Sequence, residues 1–163
     1  MTLREMFQVI NVSASGLPNI GDENSKMQVY AKVLVGKRKK MKTETDEDNE
    51  TNPAWNCDMS FKLKESEVKQ EGAMLVIKLY CKRPRFEEDR YMGEVQKSLC
   101  ELFNEAAEKY KRRGICGLPL KMAGSETSTG MLRFSYRFNS VKKRVWWKKI
   151  FYVSLGFIFV LNT

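Results

Sequence analysis

The chain has 163 residues, of which 42% are hydrophobic and 30% charged, and this composition suits one globular domain rather than a disordered chain. It contains no histidine, so the commonest general base and the commonest transition-metal ligand are missing. No paired-acid or phosphate-loop motif stands out either, and we expect a protein that is not an enzyme. The four cysteines lack zinc-site spacing and suit reduced thiols: Cys57, Cys81, Cys100 and Cys116.

The net charge of +9 is unevenly distributed. Residues 139–163 carry five cations and no acid, which leaves +4 on residues 1–138. Such a balance indicates an anionic partner, either a membrane or nucleic acid. No apolar run follows the basic start at Met1–Arg4, so a secretory signal is not predicted and we expect a cytoplasmic protein.

Alternating or continuous apolar residues predict a series of short strands. In the first, Met6, Ile10 and Val12 are expected on one face and Phe7 and Val9 on the other. The most apolar strand, over 74–80, is expected at the centre of a sheet. Strands are predicted over 5–13, 27–35, 57–63, 74–80, 91–95, 114–120 and 131–138.

One helix is predicted over about 98–109. Its apolar residues recur at helical spacing, and Ser98 with Glu101 forms a capping-box pattern. Residues 64–72 are expected to be a charged connection. Seven or eight short strands and one helix predict an all-β antiparallel sandwich with a helix inserted.

The most specific motif is Thr51-Asn52-Pro53-Ala54-Trp55-Asn56. Proline fixes its own φ and pushes the preceding asparagine into an extended conformation. Cys57, Met59, Phe61 and Leu63 then alternate with polar residues. The motif therefore predicts a rigid corner, with an indole beside it, that leads into a half-buried strand.

Four segments in order resemble the C2 domain, an eight-stranded antiparallel β-sandwich. They are FQVINVSASGL (7–17), VYAKV (29–33), TNPAWN (51–56) and YMGEV (91–95). The segment GMLRFSYRF (130–138) is similar to the last strand of small plant C2 proteins of the cold, stress and defence type. The resemblance implies a C2 domain over 1–138 followed by a tail over 139–163, and a role in membrane binding.

In the C2 family, calcium lies between two loops and is held mainly by five aspartates. The matching positions here are Asp22, Gln28, Cys81, Arg83 and Asp89. Calcium requires several carboxylate oxygens, and a cation at the site opposes it. We therefore expect weak or absent calcium binding, with Asp22 and Asp89 as the doubtful ligands and nearby glutamates as partial substitutes.

Basic residues offer an alternative to calcium. Lys82, Arg83 and Arg85 with Phe86 form a predicted basic tip. A second basic surface, where some C2 domains bind phosphoinositides, consists of Lys32, Lys37, Arg38, Lys39, Lys40 and Lys42. The hypothesis is calcium-independent docking to anionic phospholipids. The alternative is a solvated hairpin whose lysines protect a sheet edge. Nucleic acid is not expected, because no aromatic residues interleave with the cations.

The tail has the composition of a membrane interface. Trp146, Trp147, Lys148 and Lys149 precede an uncharged run over 150–161 that includes Phe151, Phe157 and Phe159. Twelve helical residues rise only about 18 Å, against a hydrocarbon core of about 30 Å. A short anchor or interfacial segment, a sheet-packed or aggregating extension, and a non-native end from a misread gene boundary all stay open.

The sequence thus predicts a non-enzymatic C2 domain protein that associates with the plasma membrane or an endomembrane from the cytoplasm. Its expected partner is an anionic phospholipid, and its expected role is signalling or a stress or defence response. Two alternatives remain: an adaptor that binds a protein partner through the sandwich, and a calcium-dependent lipid-binding domain with a degenerate site.

Overall fold

The computed structural model describes residues 4–84, 87–125 and 129–141. The strands in these ranges are β1 Arg4–Ser15, β2 Val29–Val35, β3 Lys39–Lys42, β4 Ala54–Lys64, β5 Met74–Cys81, β6 Arg90–Ser98, β7 Arg113–Pro119, β8 Lys121–Met122 and β9 Met131–Val141. The helices are α1 Glu65–Lys69 and α2 Leu99–Ala107, and a 3-10 turn covers Tyr110–Arg112.

The strands form two antiparallel sheets. One has the order β4-β1-β9-β7 and the other the order β3-β2-β5-β6-β8. Eight of the strands in the described ranges have four or more residues, and β8 has two. The predicted all-β sandwich is therefore confirmed, and β5 lies in the middle of the five-stranded sheet as expected.

The core lies between the sheets and contains the inward-facing half of each long strand. Phe7 and Phe138 are fully buried with ring centroids 4.7 Å apart. Burial of a large apolar side chain contributes about 1.5–3 kcal/mol. The alternation read from the sequence selects these residues because side chains of a strand point to opposite faces in turn.

Residue Asn11 interrupts that alternation in β1. The pairing of β1 with β4 shifts between Ile10 and Val12, and Asn11 has a positive φ of 49°. The extra residue of this bulge moves Val12 to the inner face, together with Phe7 and Val9. The prediction that Val12 shares a face with Met6 and Ile10 was wrong for this reason.

The helical content differs from the prediction in one place. Residues Glu65–Lys69, expected in a charged connection, form the short helix α1, whose Val68 is buried. The predicted helix near 98–109 is confirmed as α2. The Ser98 side chain accepts a hydrogen bond from the backbone N–H of Glu101, as its capping pattern predicted.

The Asn-Pro corner is held by hydrogen bonds of two buried side chains. Trp55 is 5% exposed and donates from Nε1 to the carbonyl of Val29 at 3.2 Å. Asp46, in the acidic loop before the corner, accepts four hydrogen bonds, from the backbones of Asp48, Asn49 and Ala54 and from the Asn49 side chain. The corner therefore links β4 to β2 and has a structural role.

Candidate functional site

Two loops meet at one end of the sandwich, and we call this region the loop tip (residues 16–28 and the described part of 82–89). The backbone N–H of Lys82 donates to the carbonyl of Gln28 at 2.8 Å. Arg90, at the start of β6, donates from Nη1 to the carbonyl of Ile20 at 3.4 Å. These contacts bring the positions that the C2 resemblance matched to calcium ligands to one end of the molecule.

Both carboxylate oxygens of Asp89 accept hydrogen bonds within the loop tip. Oδ2 accepts from the Tyr30 hydroxyl at 2.6 Å, and Oδ1 accepts from the backbone N–H of Arg83 at 3.1 Å. The bond from Tyr30 is the main reason that the pKa of Asp89 is lowered. Asp89 therefore stays ionised and serves as a hydrogen-bond acceptor.

The other matched positions supply few oxygen ligands of the kind that calcium requires. Burial raises the pKa of the Cys81 thiol, which keeps it protonated, and Arg83 forms a 2.9 Å ion pair with Glu87. Asp22 is exposed. The described ranges contain no group of three or more His, Cys, Asp or Glu side chains that could hold a metal ion. The donor set, with one cation and one protonated thiol, does not fit calcium.

A row of lysines lies on the outer face of three strands of the five-stranded sheet, and it ends beside Glu94 of β6, which lies directly opposite Lys78. Lys32 on β2 lies directly opposite Lys42 on β3 and directly opposite Lys78 on β5. The three strands thus present three cations side by side. They border a groove of about 470 Å³ that is also lined by Leu34, Lys40, Met41 and Tyr80.

A row of tyrosines runs beside the lysines. The rings of Tyr30 and Tyr80 are stacked with centroids 5.5 Å apart. Lys42 Nζ lies 4.1 Å from the centroid of Tyr30, and Lys32 Nζ lies 4.7 Å from that of Tyr80. These cation–π contacts hold the ammonium groups over the rings. We call Tyr30, Lys32, Lys42, Lys78 and Tyr80 the lysine–tyrosine face.

Comparison with known proteins now assigns the fold to a family. A family model described as C2 domain matches residues 5–113. The chain belongs to the C2 domain family.

Relatives of this C2 domain protein include Protein SRC2 from Glycine max, which is 31% identical over 131 residues. The alignment covers 78% of this chain and 43% of the soybean protein, so the chain spans less than half the length of that relative.

Solved structures share its fold. A single C2 domain of plant extended synaptotagmin 1 has a TM-score of 0.66 at 17% identity, over 88% of this chain and 99% of that one. The calcium-bound pair of C2 domains from extended synaptotagmin 2 gives 0.64 at 18% identity, over 82% of this chain and 45% of that one. Identities this low show the fold alone.

The cations of residues 37–42 lie beside two different grooves, with Lys40 and Lys42 at one and Lys37, Arg38 and Lys39 at the other. Lys40 and Lys42 border the groove of the lysine–tyrosine face, because alternate residues of β3 share a face. Lys39 instead lies 3.9 Å from Glu67 and donates to the carbonyl of Lys62. Lys37 and Arg38 lie in the turn before β3, beside a second groove formed with residues 67–74.

Three residues of the lysine–tyrosine face were missed from the sequence. One is Tyr30 on β2, and the other two are Lys78 and Tyr80 on β5. Lys78 and Tyr80 face outward, because side chains of β5 alternate between the two sides of the sheet and Ile77 and Leu79 are buried. That alternation is visible in the sequence, whereas the pairing of Lys78 with Lys32 is not, because the two residues are distant in the chain.

The remaining predicted residues are distributed as follows. Lys82 is exposed and Arg83 is half-buried at the loop tip. Arg85 and Phe86 lie outside the described residues, as do Trp146, Trp147, Lys148, Lys149, Phe151, Phe157 and Phe159. In the part of the chain that is described, no helix is long and apolar enough to cross a membrane.

Proposed function

We propose that this C2 domain binds anionic phospholipid membranes through the lysine–tyrosine face and catalyses no reaction. The observation that carries the proposal is the registered row Lys42–Lys32–Lys78 on three neighbouring strands. Like charges directly opposite each other destabilise a sheet, and an anion bound over them offsets this cost. Each Lys near an anionic leaflet contributes about 1 kcal/mol.

The tyrosines support a lipid headgroup as the anion. Tyr80 is half-buried and adds aromatic surface with a polar hydroxyl, a combination that is favoured where membrane meets water, whereas Tyr30 is buried beneath Lys42. Their rings also position Lys42 and Lys32 at the groove. The ligand that fits this arrangement best is a headgroup with several phosphates, which the lysines would bind beside the tyrosine rings.

The binding is proposed to be independent of calcium. Lys82 and Arg83 supply positive charge at the loop tip, where calcium would supply it in other C2 domains. Lys42 and Lys82 both contribute to lowering the pKa of Asp89, after the larger effect of Tyr30, so the tip adjoins the lysine–tyrosine face. Arg85 and Phe86 belong to this proposal as sequence predictions, for insertion beside the headgroups.

The proposal places the protein at the cytoplasmic side of the plasma membrane or an endomembrane. The tail over 139–163, with its tryptophans and lysines before the apolar run, is a second predicted contact with the bilayer. A role in signalling or in stress and defence responses is proposed from the resemblance to small plant C2 proteins alone.

Sedimentation of the full chain with phosphatidylserine and phosphoinositide vesicles tests the proposal. Lys32→Glu/Lys42→Glu removes two lysine contacts and is expected to weaken binding at least about 30-fold, by about 2 kcal/mol or more. Binding should also fall with added salt. The matched control is Arg113→Glu/Arg137→Glu, on the outward face of the other sheet. It changes the net charge by the same amount as the lysine variant.

Loss of binding in the lysine variant and retention in the arginine variant supports the proposed face. Equal loss in both variants would show that net charge alone drives adsorption. Failure of the full chain to sediment with any anionic vesicle, with or without calcium, would exclude membrane binding.

A further inference from the structure

Exposed large apolar side chains occur mainly on two neighbouring strands of the four-stranded sheet and in the turn before β7. Among the described residues, Tyr110, Ile115, Met131 and Val141 are four of the five such side chains. They lie on β7, on β9 or in the turn before β7. Ile115 is 70% exposed and Tyr110 is 84% exposed. Met131 and Val141 lie at opposite ends of β9, and a single exposed apolar residue is common on protein surfaces, so the arginines beside Ile115 are what distinguish this surface.

Arginines alternate with these apolar residues in a regular stripe. Arg133 and Arg137 lie on the outward side of β9, and Ser135 between them is paired with Ile115 on β7. Arg113 lies directly opposite Arg137. Along the two strands, Arg133 is followed by Ile115 and then by the opposed pair Arg113 and Arg137. We call Arg113, Ile115, Met131, Arg133 and Arg137 the arginine–apolar face.

These arginines have no acidic partner within the described ranges. No carboxylate there forms an ion pair with Arg113, Arg133 or Arg137. Arg112 differs from them, because its guanidinium bonds both oxygens of Glu5, which is 4% exposed, at 3.2 and 3.3 Å. The opposed pair Arg113 and Arg137 is unfavourable on its own, and an anionic partner relieves it.

We infer that the arginine–apolar face docks an acidic, extended segment of a protein partner. Arginine is enriched at protein interfaces and binds carboxylates in a bidentate geometry, whereas lysine is depleted there. This sets the face apart from the lysine–tyrosine face, whose cations are all lysines. Exposed Ile115 and Tyr110 supply the apolar contacts that protein recognition needs.

The geometry also specifies the segment. Arg133 and Arg137 are four residues apart on one strand, or about 13 Å. The matching partner has two carboxylates four residues apart with an apolar residue midway, in extended conformation. The segment would lie across the outward face of β7 and β9, where these arginines and Ile115 project. A groove of about 640 Å³ beside Ile115, lined also by Ile10 and Lys109, receives the apolar side chain.

The two faces lie on opposite sides of the sandwich, since they belong to the outer surfaces of different sheets. One surface is therefore free to bind a partner when the other is occupied. The inference does not rest on membrane binding, and it stands if the lysine–tyrosine face has another role.

Selection of a phage-displayed random dodecapeptide library on the full chain tests the inference. We expect the enriched peptides to carry two acids four residues apart with an apolar residue between them. A synthetic copy is then titrated against the variants by fluorescence anisotropy. Arg113→Glu/Arg137→Glu should weaken binding at least about tenfold, because the carboxylate that faces Arg137 loses its charge-assisted contact and the neighbouring cation Arg113. Ile115→Ser, at an exposed position, should weaken it severalfold without affecting folding.

Lys32→Glu/Lys42→Glu is the control with the same charge change and should leave peptide binding unchanged. The inference is overturned if the selection yields no acidic peptides, or if the peptides lose affinity for the lysine variant instead. It is also overturned if Arg113→Glu/Arg137→Glu abolishes sedimentation with anionic vesicles while peptide binding persists, since the face would then be a membrane contact.

Discussion

The Tyr30 hydroxyl donates a 2.6 Å hydrogen bond to Oδ2 of Asp89, and this bond joins the lysine–tyrosine face to the loop tip. Burial raises the pKa of Tyr30, and the bond to Asp89 raises it further, so the hydroxyl keeps its proton. A carboxylate at a position that the C2 resemblance matches to a calcium ligand is here engaged with a tyrosine. The same tyrosine lies under Lys42.

Substitution of Asp89 is expected to affect both stability and membrane binding. Asp89→Ala leaves the Tyr30 hydroxyl and the Arg83 N–H without their acceptor, at a cost of about 1 kcal/mol near the surface. Urea unfolding measures this loss, and vesicle sedimentation should show weaker binding because Tyr30 no longer holds its position. Asp22→Ala, at an exposed carboxylate, is the control and should match the unaltered chain. Identical behaviour of the two variants would contradict a structural role for Asp89.

We expect the protein not to bind calcium at submillimolar concentrations, and we expect calcium not to change its binding to vesicles. Isothermal calorimetry of the full chain should show no submillimolar calcium site, because Cys81 is a protonated thiol and Arg83 adds a positive charge. Vesicle binding should likewise be equal in calcium and in chelator. A clear heat of binding that Asp22→Ala abolishes would restore the calcium-dependent alternative.

The stability of the protein is expected to fall in acid through Asp46. Burial alone would raise the pKa of this carboxyl, but hydrogen bonds from Asn49, Ala54 and Asp48 outweigh it and lower the pKa to about 2, from 3.8. The stabilisation is therefore complete well above pH 3.8 and is lost as the pH falls towards 2. It amounts to about 2 kcal/mol on the linkage scale.

Urea unfolding of the full chain and of Asp46→Asn, at pH 6 and at pH 3, measures this contribution. The difference in unfolding free energy between the two proteins should be smaller at pH 3. A difference that does not change with pH would show that the ionised form of Asp46 is not the stabilising one.

Two glycines of β7 provide a matched pair for core packing. A Cβ at Gly114 would lie 2.4 Å from the ring of Tyr136, which is 1% exposed and packed against neighbours. Gly114→Ala should therefore destabilise the domain by about 1–3 kcal/mol. Gly117 has open space around its Cβ position, so Gly117→Ala should be neutral or stabilise by about 0.4–1 kcal/mol. Thermal unfolding compares them, and equal melting temperatures would contradict the packing at Tyr136.

Local patterns in the sequence determined the fold and most of its elements. The Asn52-Pro53 dipeptide and the alternation after it predict the corner and β4, because proline geometry and the period of a strand are local properties. The Ser98 cap is local for the same reason. Even the basic character of 37–42 is visible without a structure.

Only the tertiary structure decided which of these residues act together. A bulge at Asn11 moved Val12 to the core, and strand register placed Lys78 beside Lys32 while Lys39 turned to Glu67. The contact between Tyr30 and Asp89 spans 59 positions. Register and side-chain partners across such distances depend on how whole sheets pair and pack, and no local pattern encodes them.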